Sequence, residues 1–282
     1  MGETLKRAIS GAVYVLLLLA SILYSTESFL ILFGIFLIIS IYEFCNLVQV
    51  NKTIPLISGT SIYVLIILIS NYYNLKAEDI QLLDIVLLAI TLLISIKCVV
   101  FLFDNSLQKI SNSSKYIYLL GYITLPFIFI TKISFGIKNY NPKIIIGLLI
   151  LIWTNDTFAY IVGKSIGKHK LFEKISPKKT IEGFFGGLIF AIFAGYLISM
   201  YLIKPSTQFS DKSILIWMII AAIVGVMGTI GDLIESKFKR IAGVKDSGKI
   251  MPGHGGVLDR LDSVIFVAPF IFLFYKILYY VS

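Results

Sequence analysis

Residues 143–162 read KIIIGLLILIWTNDTFAYIV. At a rise of about 1.5 Å per residue, such a run crosses the roughly 30 Å hydrocarbon core of a bilayer as one helix. Its far end is not apolar, because Asn155 and Asp156 follow Trp153 and Thr154. A carboxylate in the middle of a membrane helix costs about 2.5–3.5 kcal/mol on insertion scales. The segment therefore reads as a span with a polar face, one that either serves chemistry or pairs with a lysine on another helix.

The same apolar texture extends in both directions. Hydrophobic residues make up 57% of the 282 residues and charged residues only 15%, and the mean hydropathy is +0.90. Those values exclude a water-soluble domain of this length. Runs long enough to span fall at 8–24, 29–48, 55–70, 80–103, 116–131, 143–162, 180–203, 213–233 and 263–281. The expected fold is all-α, a polytopic integral membrane protein of about nine transmembrane helices. It forms a single membrane domain over 1–282, with an N-terminal helical scaffold half at 1–142 and a C-terminal catalytic half at 143–282. No internal repeat or low-complexity tract interrupts it.

Lys6 and Arg7 before an apolar stretch resemble the start of a signal peptide, but no small-residue cleavage site follows. Cys45 and Cys98 lie inside apolar runs and read as reduced packing residues. The net charge of +9 does not indicate nucleic acid, because the basic residues gather in two loops beside the membrane. Anionic lipid and nucleotide suit that placement better. Setting the N-terminus inside puts 17 of the 25 Lys and Arg residues in cytoplasmic segments, as the positive-inside rule prefers.

The first five spans contain few charges, of which Glu43 is the most deeply placed, and no motif tied to chemistry. Their expected role is a scaffold or a lipid groove. After residue 150 the polar residues are patterned. Asp156, Tyr160, Gly163 and Gly167 recur at helical spacing, so an acidic face continues onto a surface that allows close backbone approach. The basic loop Ser176-Pro177-Lys178-Lys179-Thr180 then leads into the seventh span, where lysines and helix amides suit phosphate. Positive-inside anchoring is the bland reading of Lys168 and Lys170.

Gly228, Gly231, Asp232, Glu235, Ser236 and Lys239 fall on one face of the eighth helix. A stripe of this kind at a membrane boundary must be solvated, paired or bound to a cation. The loop that follows carries Lys245, Asp246, Gly248, Gly253, His254, Gly255, Gly256, Asp259, Arg260 and Asp262. Its glycines let backbone fold closely around phosphate oxygens, and Asp259 and Asp262 share a face at a helix start. Hard oxygen donors on Asp232 and Asp259 suit magnesium better than a lone His254 suits zinc. Gly163-Lys164-Ser165 lacks the upstream glycine of a P-loop, and no GxGxxG joins a strand to a helix.

Ser236-x-x-Lys239-Arg240, Lys245-Asp246-x-Gly248 and Pro252-x-His254-Gly255-Gly256-x-x-Asp259-Arg260-x-Asp262 together resemble the signature of the phosphatidate cytidylyltransferase family, the CDP-diacylglycerol synthases. The Asp156–Tyr160 segment and the Ser176–Thr180 run extend that resemblance over about residues 150–263. Met251, where the family usually has Leu, Ile or Phe, and Lys164, where Arg is more usual, depart from it.

The resemblance implies a membrane-embedded helical enzyme that takes CTP and phosphatidic acid and uses Mg2+, with a monovalent cation such as K+ beside it. The expected catalytic residues are Asp232, Asp259, Asp262 and His254, with Asp232, Asp259 and Asp156 holding metal. Substrate contacts are expected from Lys178, Lys179, Ser236, Lys239, Arg240, Lys245, Asp246, Gly255, Gly256 and Arg260. A phosphatidate oxygen would attack the α-phosphorus of CTP directly and release pyrophosphate. His254 could act as an acid, bond a phosphate or cap structure.

The expected setting is a bacterial inner membrane, with the N-terminus and the site cytoplasmic and no nucleic acid partner. A homodimer is compatible with this. The rivals are a CTP-dependent enzyme acting on another membrane lipid, and an ion-coupled transporter using Asp156 and Asp232.

Overall fold

Inside hydrocarbon a backbone has no water to bond, so each apolar run must satisfy its amides within itself, as a helix does. The computed structural model describes residues 3–71, 77–104, 110–135, 140–203 and 210–281. Among them, nine helices are long and apolar enough to cross a membrane.

The first four spans are α1 (Glu3–Tyr24), α2 (Thr26–Val48), α3 (Thr53–Asn71) and α4 (Ala77–Phe103). The fifth is composite: α5 (Asn112–Tyr118), a π-helical stretch (Leu119–Thr124) and α6 (Leu125–Ser134). Then come α7 (Pro142–Ile166), α8 (Ile181–Leu197) with a π-helical end (Ile198–Leu202), α9 (Ser210–Ile241) and α10 (Leu258–Val281). Leu16, Leu23, Ile31, Leu93 and Val100 point outward and are exposed. A jacket of large aliphatic side chains is costly in water and suits lipid.

The fifth span is the most enclosed, surrounded by the other helices. Aromatic rings fill the space around it: Phe33 and Phe127 lie 6.5 Å apart, and Phe44 meets Phe238 of α9 edge-on at 4.9 Å. The contact between α7 and α8 is made differently. A Cβ on Gly183 would lie 2.6 Å from the carbonyl oxygen of Ala159, and one on Gly187 would lie 2.6 Å from that of Asn155. Only glycine allows the two backbones to approach so closely.

Three features near the polar end differ from those expected of the sequence. The eighth span was expected to end at 233, yet α9 runs to Ile241, because Leu233, Ile234 and Phe238 keep one side of the polar extension buried. The last span starts at Leu258 rather than 263, so Asp259 and Asp262 lie inside α10. The basic loop between α7 and α8 contains an antiparallel hairpin, β1 (Lys170–Phe172) and β2 (Ser176–Thr180), with an irregular register. Thr180 then caps α8, its hydroxyl accepting from the Gly183 amide.

The hairpin, the polar end of α9, the start of α10 and residues 242–257 share one end of the bundle. At the other end Lys132 of α6 pairs with Asp84 of α4 at 2.8 Å and donates to Ser70 at 2.7 Å. Lys276 of α10 stands 3.8 Å from the same aspartate. Between the two ends lies a small apolar cavity lined by Phe33, Ile130, Ile145, Leu149, Ile152 and Val264, among others.

Candidate active site

Gly231 sets the distance between α9 and α10. A Cβ there would lie 2.6 Å from Cβ of Phe266 and 2.9 Å from the Asp262 carbonyl oxygen, so the helices touch at this point. The next residue, Asp232, is thereby brought beside Asp262. Oxygens of Asp232, Glu235 and Asp262 lie within 4.8 Å of one another. Asp156, on α7, is near enough to both aspartates to interact with their charge. Four carboxylates from three spans thus line one end of the bundle.

Lysines answer them. Lys179 of β2 reaches across to Asp232 Oδ2 at 2.6 Å. Lys239 pairs with Glu235 one turn away and with Asp259 Oδ1 at 2.7 Å. Ser236 donates to Asp232 Oδ1 at 3.1 Å. In contrast, Glu235 Oε1 is buried without a hydrogen-bond partner. Burying an ionised oxygen without a partner is expensive, so this atom marks a position suited to a cation.

Asp259 is placed otherwise than the cluster. Besides Lys239, its carboxylate accepts at Oδ2 from the amide of Ser247 (2.8 Å), the hydroxyl of Ser247 (2.9 Å) and the amide of Gly256 (2.7 Å). With both oxygens so engaged, it ties the 245–256 loop to α10. Gly255 must be glycine for this: its φ is +89°, and a Cβ would lie 2.6 Å from Asp259 Oδ2.

The remaining expected residues are spread around the rim. Lys178, Lys245 and Asp246 are exposed. Arg240 donates to the carbonyls of Ile175 at 3.1 Å and Val244 at 3.4 Å, which holds the hairpin against α9. Arg260 donates to the His254 carbonyl at 2.9 Å. His254 Nδ1 lies 2.8 Å from the hydroxyl of Ser10 on α1, and partial burial, then the nearby Arg260 and Arg7 cations, hold its pKa below the usual histidine value. The contact with Ser10 ties the loop before α10 to α1.

Glu235 was not among the residues expected to bind metal. The signal was present, because it lies three residues after Asp232 on the same polar stripe, but a glutamate beside a lysine one turn on also reads as a surface ion pair.

The sequence also matches known proteins. A profile described as the cytidylyltransferase family matches residues 5–278. A phosphatidate cytidylyltransferase of Bacillus subtilis is 31% identical over 282 residues, covering 96% of this chain and 97% of the relative. Proteins of the same name are 44% identical over 134 residues in Staphylococcus epidermidis (47% of this chain, 48% of the relative). In Staphylococcus aureus the match is 41% identical over 152 residues, 53% of this chain and 54% of the relative.

Proposed function

The chain belongs to the cytidylyltransferase family, and on that premise we propose that it joins CTP to phosphatidate at the α9–α10 end of the bundle, forming CDP-diacylglycerol and pyrophosphate. The observation that carries this reading is the carboxylate cluster of Asp232, Glu235 and Asp262, flanked by Lys179 and Lys239. It combines acidic groups for a cation with cations for phosphate, which the reaction of two anions requires.

Three carboxylates and the unpaired Glu235 Oε1 fit a divalent cation with oxygen ligands. Magnesium suits that donor set, and a monovalent cation such as K+ is the second ion expected there. We assign the divalent ion to Asp232, Glu235 and Asp262, with Asp156 extending the acidic surface. When bound, it neutralises charge on the substrate phosphates. Asp259 is assigned to holding the loop, as its four hydrogen bonds support.

In the reaction a phosphatidate oxygen forms a bond to the α-phosphorus of CTP while the bond from that phosphorus to the bridging oxygen breaks. Pyrophosphate leaves with the electron pair. Lys179 and Lys239 each contact a carboxylate now, and each is placed to turn to phosphate as charge enters the site. The exposed Lys178 and Lys245 extend the positive rim towards the cytosol, from which CTP would enter. The acyl chains stay in lipid beside the spans while the headgroup reaches the polar end.

The test is conversion of phosphatidate by purified protein in vesicles, with CTP and magnesium or with chelator. Wild type is expected to form CDP-lipid only with the metal. Asp262→Asn, checked for folding, is expected to lose about 10²-fold or more of that activity, as removal of a main electrostatic group does. A folded wild type that makes no CDP-lipid overturns the reading.

A further inference from the structure

Glu43 belongs to α2, some two hundred residues before the motifs, and is 1% exposed. A carboxylate so enclosed in a span must be paired or hydrogen-bonded. Among the described residues, its hydrogen-bond partners lie at the start of α10 or in the loop before it. The Leu258 amide donates to Oε2 at 2.8 Å, the Val257 amide to Oε1 at 3.2 Å and the Ser247 hydroxyl to Oε2 at 3.2 Å. The first amides of a helix have no acceptor within it, and its N-terminal end favours negative charge. Glu43 supplies both needs from another span.

The surroundings are shaped to admit it. A Cβ on Gly248 would lie 2.1 Å from Glu43 Oε1, and one on Gly256 would lie 2.5 Å from each of its carboxylate oxygens. The Ser247 hydroxyl lies within hydrogen-bond distance of both Glu43 Oε2 and Asp259 Oδ2, and its one proton can serve only one of them at a time. Two glycines and a serine of the motif loop thus meet a residue that the motif does not contain.

We propose that Glu43 is a positioning residue for the cation site: by capping α10 and holding the 245–258 loop, it fixes where Asp262, one turn further along α10, faces Asp232 and Glu235. This rests on the reading of those three carboxylates as the cation site. It also gives the N-terminal half an indirect part in the chemistry, through the position of Asp262.

Glu43→Gln keeps the size of the side chain but replaces one accepting oxygen with an NH2 group facing N–H donors. Without substrate or metal, backbone amides of 245–258 in the purified variant are expected to exchange with deuterium faster than in wild type. The magnesium concentration giving half of the metal-induced thermal shift is expected to rise about 10-fold or more, as for other groups that orient metal ligands. The melting temperature without metal is expected to fall, because buried N–H donors lose an acceptor, so the loop exchange and the magnesium midpoint are the deciding readouts.

A side chain that only fills space would leave loop exchange and magnesium midpoint unchanged in the glutamine variant, and that result overturns the proposal. If Glu43→Gln does not fold, Glu43→Asp decides, since the shorter carboxylate cannot keep all of these contacts: the same two shifts support the proposal, and their absence overturns it. Failure of wild type to make CDP-lipid would instead sink the functional reading, leaving the exchange result to stand on its own.

Discussion

In residues 3–134 the interior is filled by Phe29, Phe33, Phe44, Tyr122, Phe127 and Phe129, each almost completely enclosed, whereas α7 and α8 meet through Gly163, Gly183 and Gly187, where no side chain could fit. The first arrangement spreads its cohesion over many dispersion contacts, so it loses stability in proportion to what is removed. The second depends on backbone-to-backbone distance, which one methyl group can alter. Part of the polar end belongs to the second arrangement: Gly187 approaches the carbonyl oxygen of Asn155, the residue before Asp156 on α7. A tolerant scaffold therefore stands beside a rigid contact that fixes the span carrying Asp156, one of the four carboxylates at that end.

The most severe break of this contrast is a pair of substitutions. Gly187→Val, driven against the Asn155 carbonyl, is expected to abolish CDP-lipid formation even when compared at equal folded protein. Phe33→Ala should cost about 3–5 kcal/mol of stability while the folded fraction keeps its magnesium dependence. An active Gly187→Val beside an inactive, folded Phe33→Ala would reverse the assignment of roles.

A smaller effect is expected where the hairpin meets α9. Lysine cannot reproduce the two carbonyl contacts of Arg240, so Arg240→Lys should loosen the strand that carries Lys178 and Lys179. The KM for CTP is expected to rise about 3- to 10-fold with kcat nearly unchanged, as for lost positioning outside the reacting atoms. A change in kcat alone would place Arg240 at the reacting phosphates instead.

The smallest effect concerns His254. Because its folded pKa is depressed, the unfolded chain takes up the proton more readily. The stability contributed by the neutral ring is therefore present above about pH 6.5, the unperturbed histidine value, and is lost as pH falls below it. Melting curves from pH 8 to pH 5.5 should show a steeper acid-side decline for wild type than for His254→Gln. Equal slopes would remove His254 from the acid response.

Much of this was legible in the sequence, because apolar run length is a strong signal that survives without knowledge of neighbours. The nine spans and the polar face of α9 could be read in that way. The hairpin could not: strands of three and five residues, one with Ser-Pro-Lys-Lys-Thr, show no alternation to detect. Asp259 and Glu43 illustrate a deeper limit. Each is a carboxylate near or within a span, and what separates a cation ligand from a loop anchor is the number of N–H groups aimed at it, which only the folded chain decides. Glu43 stood out by depth alone, with no local residue to reveal its partners.

The dry cavity lined by Phe33, Ile130, Ile145 and Ile152 has an electrical meaning. It lies between the acidic end and the Lys132–Asp84–Lys276 group, so two charged layers are separated by hydrocarbon side chains. Small apolar voids of this kind hold no water, and without water an ion pays its full solvation cost to cross. The bundle can thus gather charged groups at one end and still act as an insulator between its two ends.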